Sequence, residues 1–322
     1  MITDTKRLIV VLGPTACGKT HLATLLASRI NGQIISADSR QIYRRMDIGT
    51  GKDLTEYNVG GKAIPYHLID IAEAGYRYNL YEYCRDFDIA MSKVAEAGDT
   101  PILCGGTGLY IEAVLDGYKM VEVPRDASLR RSLEGKSLEE LRQILAHYKT
   151  LHNTTDTSTL ARAVRAIEIA DYYERKGIGR RCNERPTREY TIFGIDIDRD
   201  TRRRRISERL QARIDKGMID EVVRLLTDGL HPDDLIYYGL EYKYITQYVV
   251  GDISFDKYIT EYIIGKIGFE EMFRRLEIAI HQFAKRQMTW FRGMERRGFD
   301  ICWLPYDIDD EEKLSRIIAR IS

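Results

Sequence analysis

A glycine-rich octapeptide near the N-terminus has the composition of a phosphate-binding loop. Residues 13–20 read GPTACGKT and fit the pattern G-x-x-x-x-G-K-S/T, between an apolar run and a helix-periodic segment. Glycine lets such a loop curl so that backbone N–H groups point at phosphate oxygens, and the following helix adds partial positive charge. Lys19 can reach a terminal phosphate, and the Thr20 hydroxyl can ligate Mg²⁺. The loop is predicted to bind a polyphosphate or diphosphate through Gly13, Pro14, Thr15, Ala16, Cys17, Gly18, Lys19 and Thr20.

A carboxylate that follows the next strand-like run has two possible roles. Asp38 comes after residues 33–36, and an acid at the carboxyl edge of a parallel sheet lies beside the phosphate crevice. We interpret Asp38 as a general base or a metal-side acid, with the N-cap of a following helix as the alternative. A kinase or NTPase usually carries a further strand-end acid that holds Mg²⁺. The apolar run at 101–104 ends instead in Gly105 and Gly106, so the loop alone leaves the fate of the phosphate open.

A strongly basic helix is predicted in the second half of the chain. Residues 199–216 contain eight basic and three acidic residues, and Arg202, Arg205, Arg209 and Arg213 recur at helical spacings of three and four. A solvated charged face is the usual outcome of such a run. Four like charges on one face repel, however, so an anionic partner, either a diphosphate or an RNA, would relieve that cost.

Aromatic and basic residues are interleaved in a second segment. Residues 285–292 read KRQMTWFR, and the stretch from 281 to 298 has five Lys or Arg residues and one acid. This mixture suits stacking on splayed bases while the charges contact phosphates. The alternative is that Trp290 and Phe291 are core residues that anchor a terminal helix. A third region, 162–188, has eight basic residues against four acids. Together the three segments favour a nucleic-acid groove.

Length and composition limit the class of protein. The chain has 322 residues, of which 44% are hydrophobic, which favours roughly two domains and excludes wholesale disorder. It has 49 Lys and Arg against 49 Asp and Glu, but a neutral sum is compatible with a local basic face. No apolar run reaches about 18 residues and no cleavable leader is evident, so we expect neither a membrane span nor secretion. Five scattered cysteines favour a reducing cytoplasm over a disulfide scaffold.

The elements that must position these residues follow an α/β pattern. Strands are predicted at 8–12, 33–36, 101–104, 190–195 and 301–304, the last at a sheet edge. Helices are predicted after the phosphate loop, over 78–97, at 127–148 and 158–176, and through 199–293. The expected fold is therefore α/β, a P-loop core with a mostly parallel sheet, a helical insertion and a helical C-terminal part. The predicted divisions are 1–120 for the first part of the core, 121–188 for the insertion, and 189–322 for the return to the core and the basic C-terminal part.

Segments along nearly the whole chain resemble the tRNA dimethylallyltransferase family. They are GPTACGKT at 13–20, IISADSRQIYRRMDIGTGKD at 34–53, PYHLIDI at 65–71, GGTGLY at 105–110, RAIEI at 165–169, Arg205-Ile206 with Arg209, and KRQMTWFR at 285–292. The resemblance implies a P-loop core whose helical insertion clasps a tRNA anticodon stem-loop. It also implies transfer of a dimethylallyl group from dimethylallyl diphosphate to N6 of the adenosine 3′-adjacent to the anticodon, giving N6-dimethylallyladenosine.

The resemblance also implies roles for individual residues. Asp38 matches the family's general base, Arg205 the arginine that completes the diphosphate clamp, and Thr107 a position beside the target nucleotide. Mg²⁺ is the implied cofactor, and Thr20 would face it. The implied tRNA-binding residues are Asp38, Ser39, Arg40, Gln41, Arg162, Arg165, Lys243, Lys285, Arg286, Gln287, Trp290 and Arg292. A monomer is expected, because no self-complementary apolar stripe stands out.

Three segments depart from the family's pattern, and three other functions stay open. Ser-Thr stands at 158–159 in place of Asn-Asp, Glu241 replaces a glycine, and Gly-Lys-Asp at 51–53 replaces Ala-Lys-Pro. The other functions are prenylation of free adenine nucleotides, a P-loop kinase or NTPase, and RNA binding without catalysis. The first has little use for basic C-terminal helices, and the second lacks its strand-end acid. The third predicts salt-sensitive tRNA binding without product.

Overall fold

A computed structural model describes residues 7–117, 120–150, 156–178, 189–252 and 268–321. Its strands are β1 (Leu8–Leu12), β2 (Gly32–Ser36), β3 (Asn58–Val59), β4 (Lys62–Ala63), β5 (Tyr66–His67), β6 (Thr100–Gly105), β7 (Tyr190–Asp196) and β8 (Ile301–Pro305). Its helices are α1 (Lys19–Ile30), α2 (Leu80–Glu96), α3 (Gly108–Leu115), α4 (Ala127–Leu133), α5 (Leu138–Tyr148), α6 (Leu160–Arg175), α7 (Arg199–Asp215), α8 (Met218–Thr227), α9 (Pro232–Tyr238), α10 (Leu240–Asp252), α11 (Phe269–Arg296) and α12 (Asp310–Ile321). Part of the third basic region, 179–188, and part of the predicted helical run, 253–267, lie outside the described residues.

Six strands form one parallel sheet in the order β5-β2-β6-β1-β7-β8. In the interior of this sheet, β1 pairs with β6 on one side, Ile9 opposite Ile102, and with β7 on the other, Ile9 opposite Thr191. Every residue of β1 and β2 is buried, as expected for parallel strands covered by helices on both faces. The predicted α/β class with a mostly parallel sheet is therefore confirmed, and β8 is the predicted edge strand.

Two helix boundaries differ from the prediction because of local capping. The segment predicted as 78–97 begins as α2 after Asn79, whose side chain accepts a hydrogen bond from the Glu82 N–H at 3.2 Å. The Glu82 carboxylate accepts the Asn79 N–H at 3.0 Å in return, which completes a capping box. The stretch predicted helical at 127–148 forms α4 and α5, because Ser137 starts a new helix with a second capping box.

Apolar side chains pack on both faces of the sheet. Along β1, Val10 and Leu12 join one buried cluster, whereas Ile9 and Val11 join another, as the alternation of side chains along a strand requires. The long helix α11 packs into the first cluster through residues at helical spacing, among them Leu276, Ile280, Ala284, Met288 and Phe291. One side of the segment 285–292 is therefore fixed in the core. No helix in the described part of the chain is long and apolar enough to cross a membrane.

The chain divides into two compact units. The first comprises residues 1–115 and 186–322, and the second comprises residues 116–185. The second unit has its own small apolar cluster, formed by Leu133, Leu141, Leu145, Ala163, Ile167 and Ala170. Three helices, α4, α5 and α6, thus fold around a separate core.

A buried carboxylate links the helices of the second unit. Glu168 is 1% exposed and accepts two hydrogen bonds from Arg130, each 2.9 Å long. It also accepts the backbone N–H of Asp126 at 2.7 Å and a bond from Arg165. Burial alone would raise the pKa of Glu168, but the hydrogen bonds from these partners outweigh it and lower the pKa to about 2.

Candidate active site

The carboxyl ends of three neighbouring strands bring the predicted site residues together. The phosphate-binding loop follows β1, Asp38 follows β2 and Thr107 follows β6, and β6 lies between the other two strands. Thr107 donates its N–H to the Ala37 carbonyl at 3.0 Å, and its hydroxyl accepts the Ser39 N–H at 3.0 Å. Ligands of open parallel sheets bind at this edge, which makes it the candidate site.

The phosphate-binding loop has the backbone that an anion cradle needs. Ala16 and Gly18 have φ angles of 64° and 83°, in the left-handed region that glycine adopts without strain. Helix α1 starts directly afterwards at Lys19, and no described side chain caps it. Its first N–H groups and the positive end of its dipole are therefore available to an anion.

Two distant helices brace this loop. From α7, Arg205 donates a hydrogen bond to the Ala16 carbonyl at 2.9 Å. From α11, Gln287 accepts the Thr15 N–H at 2.8 Å and donates to the Gly106 carbonyl at 2.9 Å. Gln287 is buried. The structure thus places Gln287, a predicted tRNA contact, as an internal link between the loop and the end of β6.

A cavity of about 240 Å³ opens beside the loop. It is lined by Ala16, Gly18, Lys19, Thr20, Gly51, Asp53, Glu56, Arg205 and Arg209. Arg209 lies 3.2 Å from Asp53, in an ion pair that sequence reasoning missed. Burial, reinforced by the nearby charge of Asp53, raises the pKa of Glu56. Three cations therefore border a space that opens at the start of α1.

The residues of this cavity fit a magnesium ion that is held mainly by a bound diphosphate and only weakly by the protein. Thr20 lines the cavity, whereas the described residues contain no group of three or more His, Cys, Asp or Glu side chains that could hold a metal alone. Mg²⁺ often takes only one or two protein ligands and completes its shell with phosphate oxygens and water. The donor set therefore suits Mg²⁺ only together with a bound diphosphate.

A second cavity contains Asp38 and shares Lys19, Thr20, Gly51 and Arg209 with the first. The Asp38 carboxylate accepts the Arg40 N–H at 3.0 Å, and this is its one hydrogen bond within the described residues. The residues after Asp38 form turns rather than a helix, so the N-cap interpretation is wrong. Asp38 is therefore a half-buried acid at the start of a turn, next to the phosphate loop.

A buried acid that sequence reasoning missed holds two of the arginines in this second cavity. Glu241 is 5% exposed, and its Oε2 lies 2.8 Å from Arg40 while its Oε1 lies 3.6 Å from Arg213. Burial, followed by repulsion from Arg209, lowers the pKa of Arg213 to about 10. The only sequence signal was the acid that replaces a glycine of the family's pattern at this position.

A further buried acid fixes one wall of the same cavity. Glu221 accepts the N–H groups of Asp47, Ile48 and Gly49 at 2.8, 2.7 and 3.0 Å, and the Tyr242 hydroxyl at 2.7 Å. Since Glu221 belongs to an ordinary amphipathic helix, α8, no local sequence pattern marks it. Its contacts hold the turn that carries Gly49 in place against α10.

The outer face of α11 carries cations without acidic partners. Lys285, Arg286 and Arg292 are exposed, and none of them forms an ion pair with a described residue. Stacking on bases and packing in the core were the two interpretations of Trp290 and Phe291, and the two residues differ in this respect. Phe291 is fully buried and is a core residue, whereas Trp290 is 39% exposed and donates its indole N–H to Glu112 at 2.8 Å.

The remaining predicted tRNA contacts are divided between the two units. In the first unit, Gln41 donates to the Gly51 carbonyl at 3.2 Å, and Lys243 lies 5.5 Å from the centre of the Tyr244 ring. In the second unit, the exposed Arg162 bonds to the Ser158 hydroxyl at 2.8 Å. Its neighbour Arg165 is occupied by Glu168 and the Val123 carbonyl.

A phosphate loop on a parallel sheet, with an acid in an adjoining cavity and basic helices around it, defines a P-loop α/β protein with a candidate phosphate site next to an acidic cavity. The chain belongs to the IPP transferase family, whose model matches residues 41–294.

Named relatives match nearly the full length of the chain. The tRNA dimethylallyltransferase 2 of Bacteroides fragilis is 56% identical over 314 residues, which cover 98% of this chain and 97% of the relative. The tRNA dimethylallyltransferase 1 of Parabacteroides distasonis is 56% identical over 308 residues, 96% of this chain and 95% of the relative. The crystal structure of a tRNA isopentenylpyrophosphate transferase from Bacillus halodurans matches with a TM-score of 0.68 and 28% identity, covering 98% of this chain and 96% of that one.

Proposed function

We propose that this protein transfers the dimethylallyl group of dimethylallyl diphosphate to N6 of the adenosine 3′-adjacent to the anticodon in tRNA. The product would be N6-dimethylallyladenosine. The observation that carries the proposal is that Asp38 lines one cavity together with Lys19 and Thr20 of the phosphate loop. The relatives named tRNA dimethylallyltransferase support both the donor group and the acceptor.

On the acceptor side, the reaction needs a base. The N6 amine of adenine is a poor nucleophile, because its lone pair is delocalised into the ring. As N6 forms a bond to the allylic carbon, Asp38 accepts one amine proton, a contribution of about 10²- to 10⁴-fold in rate. A half-buried carboxylate that accepts one backbone N–H among the described residues keeps acceptor capacity for that proton. Thr107 holds the turn after Asp38 through Ser39.

On the donor side, the diphosphate leaves with the electron pair of the broken C–O bond. The loop N–H groups, Lys19 and Arg205 stabilise the growing negative charge from fixed positions. Mg²⁺, held by Thr20 and the diphosphate, would add positive charge at the leaving group when bound. The loop in this reaction holds a leaving group rather than a γ-phosphate, so the chain does not need the strand-end acid that holds Mg²⁺ beside the γ-phosphate in kinases and NTPases.

On the RNA side, the adenosine must leave its stack to reach Asp38. This step costs a few kcal/mol and is cheapest in a loop such as the anticodon loop. Lys285, Arg286 and Arg292, which pair with no acid among the described residues, offset that cost by contacting phosphates, and the half-exposed ring of Trp290 offers a stacking surface. We assign the second unit, with Arg162, to further contacts with the same RNA. A protein that used free nucleotides would have no need of these groups.

The decisive experiment analyses tRNA nucleosides by mass spectrometry after incubation with the protein, Mg²⁺ and dimethylallyl diphosphate. We expect N6-dimethylallyladenosine, and no comparable product from AMP. Asp38→Asn keeps an oxygen for the Arg40 N–H but removes the base, so turnover should fall at least about 100-fold while tRNA binding persists. The matched control is Asp99→Asn, an acid that bonds Asn31 and Gln33 away from both cavities.

Two outcomes would contradict the proposal. Near wild-type turnover of the Asp38→Asn variant would remove Asp38 from the chemistry. RNA-stimulated ATP hydrolysis without prenylated product would make the protein an NTPase. The expected monomeric state and cytoplasmic location stay predictions, which sedimentation and cell fractionation can test.

A further inference from the structure

Several cationic side chains line the cavity of Asp38, but none of them is hydrogen-bonded to its carboxylate. Its cavity is lined by four cationic side chains, Lys19, Arg40, Arg209 and Arg213. Guanidinium groups form strong, charge-assisted hydrogen bonds with carboxylates within reach. Yet within the described residues the Asp38 carboxylate accepts only a backbone N–H. Some other feature of the cavity must hold these cations.

Two of the four cations are held at the phosphate end of the cavity. The Nζ atom of Lys19 lies 3.5 Å from the Pro14 carbonyl, within its own loop. Arg209 pairs with Asp53 at 3.2 Å. Both groups border the cavity of the diphosphate, so a bound ligand would engage them further.

The other two cations share one buried acid. Glu241 uses its two oxygens separately, Oε2 for Arg40 at 2.8 Å and Oε1 for Arg213 at 3.6 Å. The side chains of both arginines are mostly buried, at 20% and 13% exposure. Glu241 and Asp38 are the two acids that line this cavity, so Glu241 is the alternative partner of both guanidinium groups.

The backbone is also shaped around this arrangement. Gly51 has a φ of 67°, and a Cβ atom added to it would lie 1.7 Å from a terminal nitrogen of Arg213. No other residue type would leave Arg213 where it is. Burial and the neighbouring Arg209 disfavour the charge of Arg213, as the lowered pKa of its guanidinium indicates. An acid beside it is therefore needed to keep this buried cation in position.

We infer that Glu241 is a positioning residue for prenyl transfer, because its carboxylate holds the Arg40 and Arg213 guanidinium groups away from Asp38. Asp38 thereby stays free to accept the amine proton. Glu241 itself touches neither substrate. The inference rests on the proposed role of Asp38 as the base, and it adds a reason why that acid remains unpaired among arginines.

Glu241→Gln keeps the shape of the side chain and removes its charge. The released guanidinium groups then have Asp38 as the remaining acid that lines their cavity, since the nearby Asp53 already pairs with Arg209. A carboxylate engaged in an ion pair is a poorer proton acceptor. We expect kcat at saturating tRNA to fall about 10- to 100-fold, less than the full contribution of about 10²- to 10⁴-fold from a general base, because an ion-paired Asp38 keeps part of its capacity to accept a proton. The KM for dimethylallyl diphosphate should change by less than about threefold, because the phosphate loop is untouched.

The discriminating measurement asks whether a second substitution restores the kcat that Glu241→Gln has lost. Arg213→Met removes one released cation, so Glu241→Gln with Arg213→Met should recover at least about fivefold of the lost kcat. The matched control is Glu221→Gln, which also loses a buried acid but releases backbone N–H groups rather than arginines. Arg213→Met should recover nothing in that background. Thermal unfolding of all variants separates loss of fold from loss of turnover.

An unchanged kcat in Glu241→Gln, or a loss that Arg213→Met leaves in place, would overturn the inference. If Glu241→Gln does not fold, Glu241→Asp carries the test with the same suppression, since the shorter acid holds the arginines less well. The Asp38→Asn result distinguishes a failure of the inference about Glu241 from a failure of the proposed role of Asp38. An inactive Asp38→Asn beside a fully active Glu241→Gln rejects only the inference, whereas an active Asp38→Asn rejects the base itself.

Discussion

Arg205 donates a hydrogen bond from its Nε atom to the main-chain carbonyl of Ala16, 2.9 Å away and 189 positions earlier in the chain. Its guanidinium also lies 5.3 Å from the centre of the Tyr306 ring, which favours a fixed orientation. Because one nitrogen anchors the side chain, the two terminal nitrogens can serve a diphosphate in the cavity that Arg205 lines. The contact joins the basic helix α7 to the phosphate loop.

Arg205→Ala should therefore impair the use of dimethylallyl diphosphate more than the binding of tRNA. We expect kcat/KM for dimethylallyl diphosphate to fall about 100-fold, since one fixed charge at the leaving group is lost. The affinity for tRNA should change by less than about twofold. Arg204→Ala is the matched control, because Arg204 is exposed and its ion pair with Glu208 is 3.9 Å long. A defect confined to tRNA binding would instead place Arg205 in the RNA groove.

Gln287→Met should destabilise the protein. The substitution keeps the length of the side chain but leaves the Thr15 N–H and the Gly106 carbonyl without their partner. Each group left unpaired costs about 1–3 kcal/mol, so urea unfolding should show a loss of about 2–6 kcal/mol for the two groups. The control Gln211→Met changes an exposed amide that bonds the exposed Asp215 and should cost less than about 0.5 kcal/mol. Unaltered stability together with weaker tRNA binding would restore Gln287 as an RNA contact.

Arg292→Gln should weaken tRNA binding in a salt-dependent way. An unpaired cation that contacts a phosphate releases counterions, so its removal should lower the slope of log K against log salt by about 1. Donor kinetics at saturating tRNA should stay unchanged. Arg316→Gln, in a surface pair with Glu312 on α12, serves as the control and should leave the slope as it is. An identical slope for both variants would show that Arg292 lies outside the RNA path.

Glu168 should make the second unit sensitive to acid. Its folded pKa of about 2 lies below the ordinary value of 4.5, so its stabilisation is complete above pH 4.5 and is lost as pH falls toward 2. At about 1.4 kcal/mol per pKa unit, the loss reaches about 3 kcal/mol. Hydrogen exchange of α6 amides as a function of pH measures it. Glu168→Gln should remove this pH dependence and lower the stability already at pH 7; a dependence that persists in the variant would point to another group.

The parts of the site that follow local patterns could be predicted from the sequence. The loop at 13–20 and the acid after β2 each adjoin a short apolar run, and parallel strands place such ends at one edge. The threonine after β6 was expected only from the resemblance to the family. The sheet class followed from the same runs. The repeat of arginines along α7 likewise predicted the face that carries Arg205 and Arg209.

The missing parts depend on pairs that lie far apart in the chain. Arg40 and Glu241 are separated by 201 positions, and no periodicity connects a turn with the start of α10. Glu221 looks like any acid of an amphipathic helix until its backbone partners at 47–49 are known. Gln287 was expected to contact RNA, and the internal hydrogen bonds of its amide could not be foreseen, because a motif identifies the residue but not the direction in which its amide points.

The place of β1 in the sheet has a consequence for biosynthesis. On one side it pairs with β6, but its other neighbour, β7, begins at Tyr190, so the ribosome must make that later strand before β1 has both partners. The brace from α11 emerges later still. A nascent chain would therefore carry a glycine-rich loop without its supports, and donor affinity should develop only after α11 has emerged.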